Sequence, residues 1–296
     1  MRDVLCMLTL SCVLCAAVVL TGCETLGSFA EGLDMQKVDS LIKVGKAGVQ
    51  AAKKITPEQE YYIGRSVGAT ILSNNKPFDR EAATRYMNVL GQTLAKASDK
   101  PETFGGYHFL ILDSVDINAF AAPGGLIFIT RGMLRCCKSE SAVAAVLAHE
   151  IGHVQHAHGL GSIKKGRITQ AVMTLAAETA KNYGSEELAQ LTEAFEGSIN
   201  DIINTVVSSG YARKFETQAD QAAVTIMKRV GYDPHGLIDM LGQMKQQLKP
   251  GGHDFAKTHP DPLDRIKDVK KMIGDTPRAP EPGPRQKRFS RALDGV

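Results

Sequence analysis

Tryptophan is absent from this chain, and aromatic residues make up only 6% of it. A hydrophobic content of 43% is still ordinary for a globular protein, so a packed core is available without large rings. Net charge is nearly absent too: 35 lysines and arginines against 32 aspartates and glutamates leave +3. That is too little to argue for nucleic acid, and the basic residues are scattered except at the C-terminal end. Internal repeats are missing. After the N-terminal segment no apolar run approaches the ~20 residues that a membrane-spanning helix needs. Cysteine is scarce where a disulfide framework would need it. Cys6, Cys12, Cys15 and Cys23 crowd the N-terminus, and only Cys136 and Cys137 remain. Adjacent cysteines rarely pair, because the small ring strains the peptide. The chain is therefore no disulfide scaffold, and these two are expected to be structural. Its 296 residues suit one large or two small domains.

What is present starts with "MRDVLCMLTLSCVLCAAVVLTGC": one early arginine, an apolar run, then small residues. That is the layout of a secretory signal peptide. The run from Val4 to Leu20 is interrupted by Thr9 and Ser11 and is marginal for a membrane span; an uncleaved anchor helix is the alternative. Leu20-Thr21-Gly22-Cys23 resembles the bacterial lipobox, in which the cysteine is lipidated and becomes the mature N-terminus. Residues 1–22 are then the signal, and Cys23 anchors the protein to a membrane, stably if more than one acyl chain is attached. Glu24 follows in place of the Asp that resembles an inner-membrane retention signal in enteric-type lipoproteins. The expected location is the periplasm, at the outer membrane rather than the inner.

Residues 23–55 read as the lipidated N-terminus, a tether and a first helix, "MQKVDSLIKVGKAGVQAAKKI". The main domain spans 56–275. Thr56 is placed as an N-cap with Pro57 at the first helical position and Glu58 and Glu60 near the positive helix end. Tyr86, Leu90 and Leu94 recur every four residues, the period of an amphipathic helix. Three strands follow, "YHFLILD" (107–113), "INAFAAP" (117–123) and "LIFITRG" (126–132); their β-branched content and the "PGG" punctuation predict a small antiparallel sheet. Helix resumes at Ser139, and a long region of about 160–208 also reads as helical. Further helices are expected in "GYARKFETQADQAAVTIMKRVG", "DPHGLIDMLGQMKQQL" and "PLDRIKDVKKMI". The Pro-rich, basic tail, 276–296, lacks an apolar period and is expected to be disordered. The fold class is α+β, mainly helical, with one small antiparallel sheet.

The densest chemistry lies in "AVLAHEIGHVQHAHG". His149 and His153 are four residues apart, which puts both imidazoles on one helical face, Cβ atoms roughly 5–6 Å apart. That lets both nitrogens reach one ion at about 2.0–2.1 Å. Glu150 projects beside the ion, where it can take a proton from water. "SAVAAVLA" packs the same helix into a core, so a buried ionisable cluster needs a partner for its charge, and zinc supplies one, one ion per chain. A third protein ligand is required. The extended pattern H-E-x-x-H-x-x-G-x-x-H fails, because His156 stands where glycine is needed and Gly159 where histidine is. A glutamate from a second helix is the other option. "KFETQAD" offers Glu216 as ligand, with Asp220 one turn later to accept the distal N–H of a ligand histidine. Alone, that glutamate–aspartate spacing equally suits a solvated helix face.

"HEIGH", then "ETQAD", then "THPDPLDRI", with "NAFAAPGGLIFITRGML" before the first, resembles the HtpX-type gluzincin peptidases, relatives of the CAAX prenyl proteases. The resemblance covers roughly 56–275. It implies a zincin-like metalloprotease domain with the sheet beside the zinc helix. It implies zinc ligands His149, His153 and Glu216, catalytic base Glu150, and Asp220 as the acid behind a ligand. It also implies an edge strand beginning at Asn118, Ala119 and Phe120 that pairs with an extended substrate backbone; Asn118 equally suits a turn that opens a strand. Many members have several membrane-spanning helices, and this chain is more similar to the exported subgroup. The motif "THPDPLDRI" implies a loop over the zinc in which His259 occupies the open metal position at rest or donates to the transition state. Arg265 then holds that loop helix or stabilises the oxyanion. Pro260 biases His259 to extended backbone; the plainer alternative is that His259 packs near the helix start. His156 and His158 are expected to be structural, His158 by interaction with a helix C-terminus.

The sequence thus points to a lipid-anchored zinc endopeptidase whose substrates are unfolded or misassembled envelope proteins. The rival is an assembly factor or chaperone with a latent zinc site. Intact Glu150 favours the enzyme, and a segment 160–208 lying over the cleft would favour latency.

Overall fold

The computed structural model describes residues 55–163, 195–247, 259 and 261–296. The signal segment, Cys23, the tether and the first expected helix lie outside the described residues. So do 164–194 of the long helical region, and Thr258 and Pro260 on either side of His259.

Helix α1 (Pro57–Asn74) begins as its residues dictate. The Thr56 hydroxyl accepts from Gln59 N at 3.2 Å, and the Gln59 amide oxygen accepts from Thr56 N at 2.9 Å. This reciprocal cap satisfies two otherwise orphaned donors, and Pro57 fills a position that needs none. Helix α2 (Glu81–Lys96) buries Met87, Leu90 and Leu94 along one stripe.

Strands β1 (His108–Leu112), β2 (Ala119–Ala122) and β3 (Leu126–Thr130) form one sheet in the order β1-β3-β2. The sheet is mixed, which corrects the antiparallel expectation: β2 runs antiparallel to β3, but β1 runs parallel to it. The tight turn Pro123–Gly125, with Gly124 and Gly125 at φ 76° and 100°, folds β2 back on β3. The connection 113–118 then carries β2 past the central strand. The free edge of β1 is closed by side chains of α2: Asn88 Nδ2 donates to Phe109 O at 2.7 Å, and Asn88 Oδ1 accepts from Phe109 N at 3.1 Å. Strand alternation sorts the apolar residues to two faces. Phe109, Ile111, Ile127 and Ile129 join the larger core with α2; Leu112, Phe120 and Phe128 join a second cluster with Ile63, Val67, Ile202 and Val206.

After the short α3 (Arg131–Cys136) comes α4 (Glu140–Gln155), capped by Ser139 Oγ accepting from Ala142 N at 3.2 Å. Every residue of α4 from Glu140 to Val154 is buried, as suits a helix apolar nearly all round. Each buried Val, Leu or Ile on it contributes roughly 1.5–3 kcal/mol. Around it pack α7 (Arg213–Arg229) and α8 (His235–Gln247), and α9 (Pro262–Ile273) packs on α7 and α8. The short α5 (His158–Gly161) follows α4, and helical residues 195–203, α6, run into a wider turn at Asn204–Ser209. Pro262 opens α9 as expected, with Asp261 Oδ1 accepting from Leu263 N at 2.7 Å. Cys136 and Cys137 are buried thiols, and burial pushes the Cys137 thiol upward. No helix among the described residues is long and apolar enough to cross a membrane.

The tail corrects the expectation of disorder. Residues Gly283–Leu293 form α10, and Phe289, Leu293 and Val296 pack against the main core. An ion pair accompanies this packing. Glu140, at the start of α4, has no exposed surface. Tyr232 donates to its Oε1 at 2.7 Å, Tyr86 donates to its Oε2 at 3.2 Å, and Arg288 of the tail donates Nε to Oε2 at 2.6 Å. A buried carboxylate requires such a cation, and the tail provides it.

Candidate metal centre

Helix α4 presents His149, Glu150 and His153, all at most 2% exposed. Glu216, in the first turn of α7, and Asp220, one turn on, are equally buried. Gly152 permits this approach by bringing the α4 backbone onto Ala219 of α7. His149 Nε2 lies 3.5 Å from Glu216 Oε2, His153 Nε2 lies 3.5 Å from Glu216 Oε1, and the two Nε2 atoms are 3.2 Å apart. His259 joins them from the chain just before α9: its Nδ1 donates to Glu216 Oε2 at 2.6 Å. One donor atom from each of the four lies within 4.8 Å of the others.

His149 Nδ1 donates to Asp220 Oδ1 at 2.9 Å, so its Nε2 faces the cluster; burial and Arg265 oppose its protonation, but Asp220 and Glu216 raise this imidazole to about 9, and a metal ion there would displace the Nε2 proton. Arg265 on α9 holds Asp220 in turn, with Nε donating to Oδ2 at 3.0 Å and Nη2 to Oδ1 at 2.6 Å. Its Nη1 lies 3.8 Å from Glu216 Oε2. Burial opposes ionisation of Asp220, yet Arg265 and His149 hold its carboxyl below the usual range. Burial likewise opposes ionisation of Glu216, and His259, His149 and His153 hold it well below. Both are therefore anionic at neutral pH. Burial keeps His153 neutral. Glu150 behaves oppositely: burial raises its carboxyl to about 7. Its Oε1 and the Oε1 of Glu216 have no hydrogen-bond partner among the described residues. Imidazole nitrogens converging on a carboxylate, with buried oxygens unsatisfied, fit a divalent cation, and this N/O donor set suits zinc.

Of the residues expected to pair with substrate, Ala119 and Phe120 lie in β2 and Asn118 immediately precedes it; none belongs to the metal cluster. Asn118 is buried just ahead of β2, its Oδ1 accepting from Ala119 N at 2.9 Å. Phe120 points to the second core cluster, and Ala119 to the first. β2 is an edge strand and packs beside α4.

Two contacts were not read from the sequence. The Tyr211 ring stacks on His153, centroids 4.3 Å apart, and its buried hydroxyl has no partner among the described residues. Burial raises that hydroxyl, and the charges of Glu150 and Glu216 raise it further. His158 Nδ1 lies 2.9 Å from His153 Nδ1, so His158 supports a member of the cluster rather than only a helix end. "GYAR" ahead of "ETQAD" offered no local signal for the first, and spacing argued against the second.

Comparison with known proteins agrees with this geometry. The family model described as Peptidase family M48 matches residues 81–273, which contain all four residues of the cluster. The beta-barrel assembly-enhancing protease of Escherichia coli is 26% identical over 247 residues, covering 78% of this chain and 47% of the relative. The mitochondrial metalloendopeptidase OMA1 of Schizosaccharomyces pombe is 31% identical over 163 residues, covering 53% and 43%. The metalloprotease LoiP of Escherichia coli is 25% identical over 263 residues, covering 86% and 92%. The chain thus spans about half the length of the first two and most of the third. The family-level part of the sequence resemblance holds, while these relatives are of other named types than HtpX. With its histidine and glutamate donors assembled inside the matched span, the chain belongs to peptidase family M48.

Proposed function

We propose that the chain is an endopeptidase of the bacterial envelope, lipid-anchored through Cys23 at the periplasmic face of the outer membrane. Its substrates on this reading are unfolded or misassembled envelope proteins. The observation that carries the proposal is a buried His149–His153–Glu216–His259 cluster, whose two α4 histidines stand on a helix that packs beside the edge strand β2. An edge strand reads backbone rather than sequence, which suits clients with little in common. The similarity to a relative named for beta-barrel assembly, the beta-barrel assembly-enhancing protease of Escherichia coli, supports an envelope setting.

The chemistry supplied by bound zinc is Lewis acidity toward a carbonyl oxygen and water. Glu150, raised to about 7 by burial, accepts the proton of the attacking water and returns it to the leaving amine. Asp220 and Arg265 hold His149 in register. His259 is the latch: its place against Glu216 at 2.6 Å keeps the resting site closed, and substrate or a partner draws it away.

The second reading, an assembly factor with a latent site, is favoured by the same His259 contact and by Phe120 of β2 packing with Ile202 and Val206. Degradation of an unfolded outer-membrane protein by the purified chain, with and without chelator, separates the two. Chelator-sensitive cleavage supports the endopeptidase. Client binding without cleavage, from a zinc-loaded protein that stays intact, supports the assembly factor. Glu150→Gln expressed in the native host, with mass spectrometry of what copurifies, identifies the clients. Recovery of folded cytoplasmic proteins alone would remove the envelope assignment.

A further inference from the structure

We propose that His158 and Gln218 form a hydrogen-bond relay that fixes the tautomer of the zinc ligand His153. His153 Nδ1–H donates to His158 Nδ1 at 2.9 Å, and His158 Nε2–H donates to Gln218 Oε1 at 3.1 Å.

The direction of the relay follows from donor and acceptor capacity. A neutral imidazole carries one N–H and one lone pair, and an amide oxygen only accepts. Gln218 Oε1 therefore requires the proton on His158 Nε2. His158 Nδ1 is then a lone pair and can only accept. His153 Nδ1 must supply the proton, which leaves the His153 Nε2 lone pair facing His149 Nε2 across 3.2 Å. Turning the Gln218 amide over reverses every step, puts a hydrogen on His153 Nε2 and removes a ligand. The amide orientation and metal binding are thus one coupled choice. His149 has an anionic support in Asp220; His153 has this neutral one.

The backbone is built for the contact. Five residues separate His153 from His158, and at about 100° per residue a continuous helix would turn them to different faces. The chain instead leaves α4 at Gln155 and passes through Ala157 at φ 53°, ψ 36°. Ala157 is the one non-glycine residue with positive φ among the described residues. An alanine there is strained by roughly 1–2 kcal/mol, and the break swings His158 back under His153. Phe215 at 4.6 Å and His156, stacked at 5.4 Å, hold the ring in place, and only 2% of His158 is exposed. His158 is accordingly a positioning residue.

The inference rests on zinc as the metal of the site, and the wild-type protein controls for that. Zinc affinity is measured by chelator competition for wild type, His158→Leu and His158→Asn, with a thermal melt of each. Asn places an amide oxygen near the position of the imidazole Nδ1. His158→Leu is expected to bind zinc 10–100-fold more weakly, and His158→Asn to recover most of that loss. Proton–nitrogen correlation spectra of ¹⁵N-histidine in the zinc-loaded wild type should show His153 protonated at Nδ1. A folded His158→Leu protein with wild-type affinity overturns the relay, as does a zinc-loaded His153 without a proton on Nδ1. The same spectrum should show His158 protonated at Nε2, which zinc does not impose, and a proton on His158 Nδ1 instead overturns the relay even if His158→Leu fails to fold. A wild-type protein that binds no zinc would instead overturn the metal assignment beneath it.

Discussion

Gly152 of α4 and Ala219 of α7 meet backbone to backbone: a Cβ on Gly152 would lie 3.0 Å from the Cα and the carbonyl oxygen of Ala219. This closeness sets the distance between the histidine pair and Glu216. Gly152→Val should push the helices apart, lower stability by roughly 1–3 kcal/mol and weaken zinc binding at least tenfold. Thermal melts and chelator competition test both effects. Unchanged zinc affinity in that variant would show that the spacing is not critical.

Glu150 and Glu216 should separate by role. Glu150→Gln is expected to retain stoichiometric zinc and lose peptidase activity by at least a hundredfold, because it removes a proton acceptor and not a ligand. Glu216→Ala should lose zinc as well as activity. Metal analysis of the two purified variants checks this, and full zinc in Glu216→Ala would require another third ligand.

The metal-free protein should show a pH signature of Glu150. Burial raises this carboxyl from 4.5 to about 7, so the folded state binds the proton more tightly than the unfolded state. The associated stability is fully present below the unfolded value and is lost as pH rises through 7. The loss is on the order of 3 kcal/mol. Metal-free Glu150→Gln should therefore be more stable than metal-free wild type at pH 8, with the gap closing towards pH 5. Denaturant melts at the two pH values provide the comparison; a constant gap would rule the titration out.

His259→Ala should raise basal proteolysis while zinc stays bound, since it opens the resting site. Arg265→Ala should lower both activity and zinc affinity, since it releases Asp220 and hence His149. Turnover of an unstructured peptide with parallel metal analysis reads both. An inactive, zinc-loaded His259→Ala would recast His259 as a transition-state donor.

The tail should stabilise the domain. Arg288→Ala removes the cation on fully buried Glu140, and because Arg288 is itself half exposed the cost is taken as about 1–2 kcal/mol. Glu140→Gln should make the domain insensitive to the loss of Arg288, a double-mutant cycle that additive effects would contradict.

The local parts of this protein were legible in its residues. Thr56 and Pro57 start α1, Pro262 starts α9, and the four-residue step from His149 to His153 puts two ligands on one face. Each depends on neighbours within a turn or two, so backbone geometry fixes the outcome. Glu216 is picked out by the family resemblance, since its spacing to Asp220 equally suits a solvated face; the packing of α7 on α4 across Gly152 is what brings it to the histidines. The parallel pairing of β1 with β3, the docking of α10 on Glu140 and the turn at Ala157 that returns His158 to His153 were decided by tertiary structure. In each, a group far along the chain or beyond a helix end satisfies a buried strand edge, charge or imidazole. Hydrophobic period carries no record of such a partner, because the requirement arises only once the core has closed.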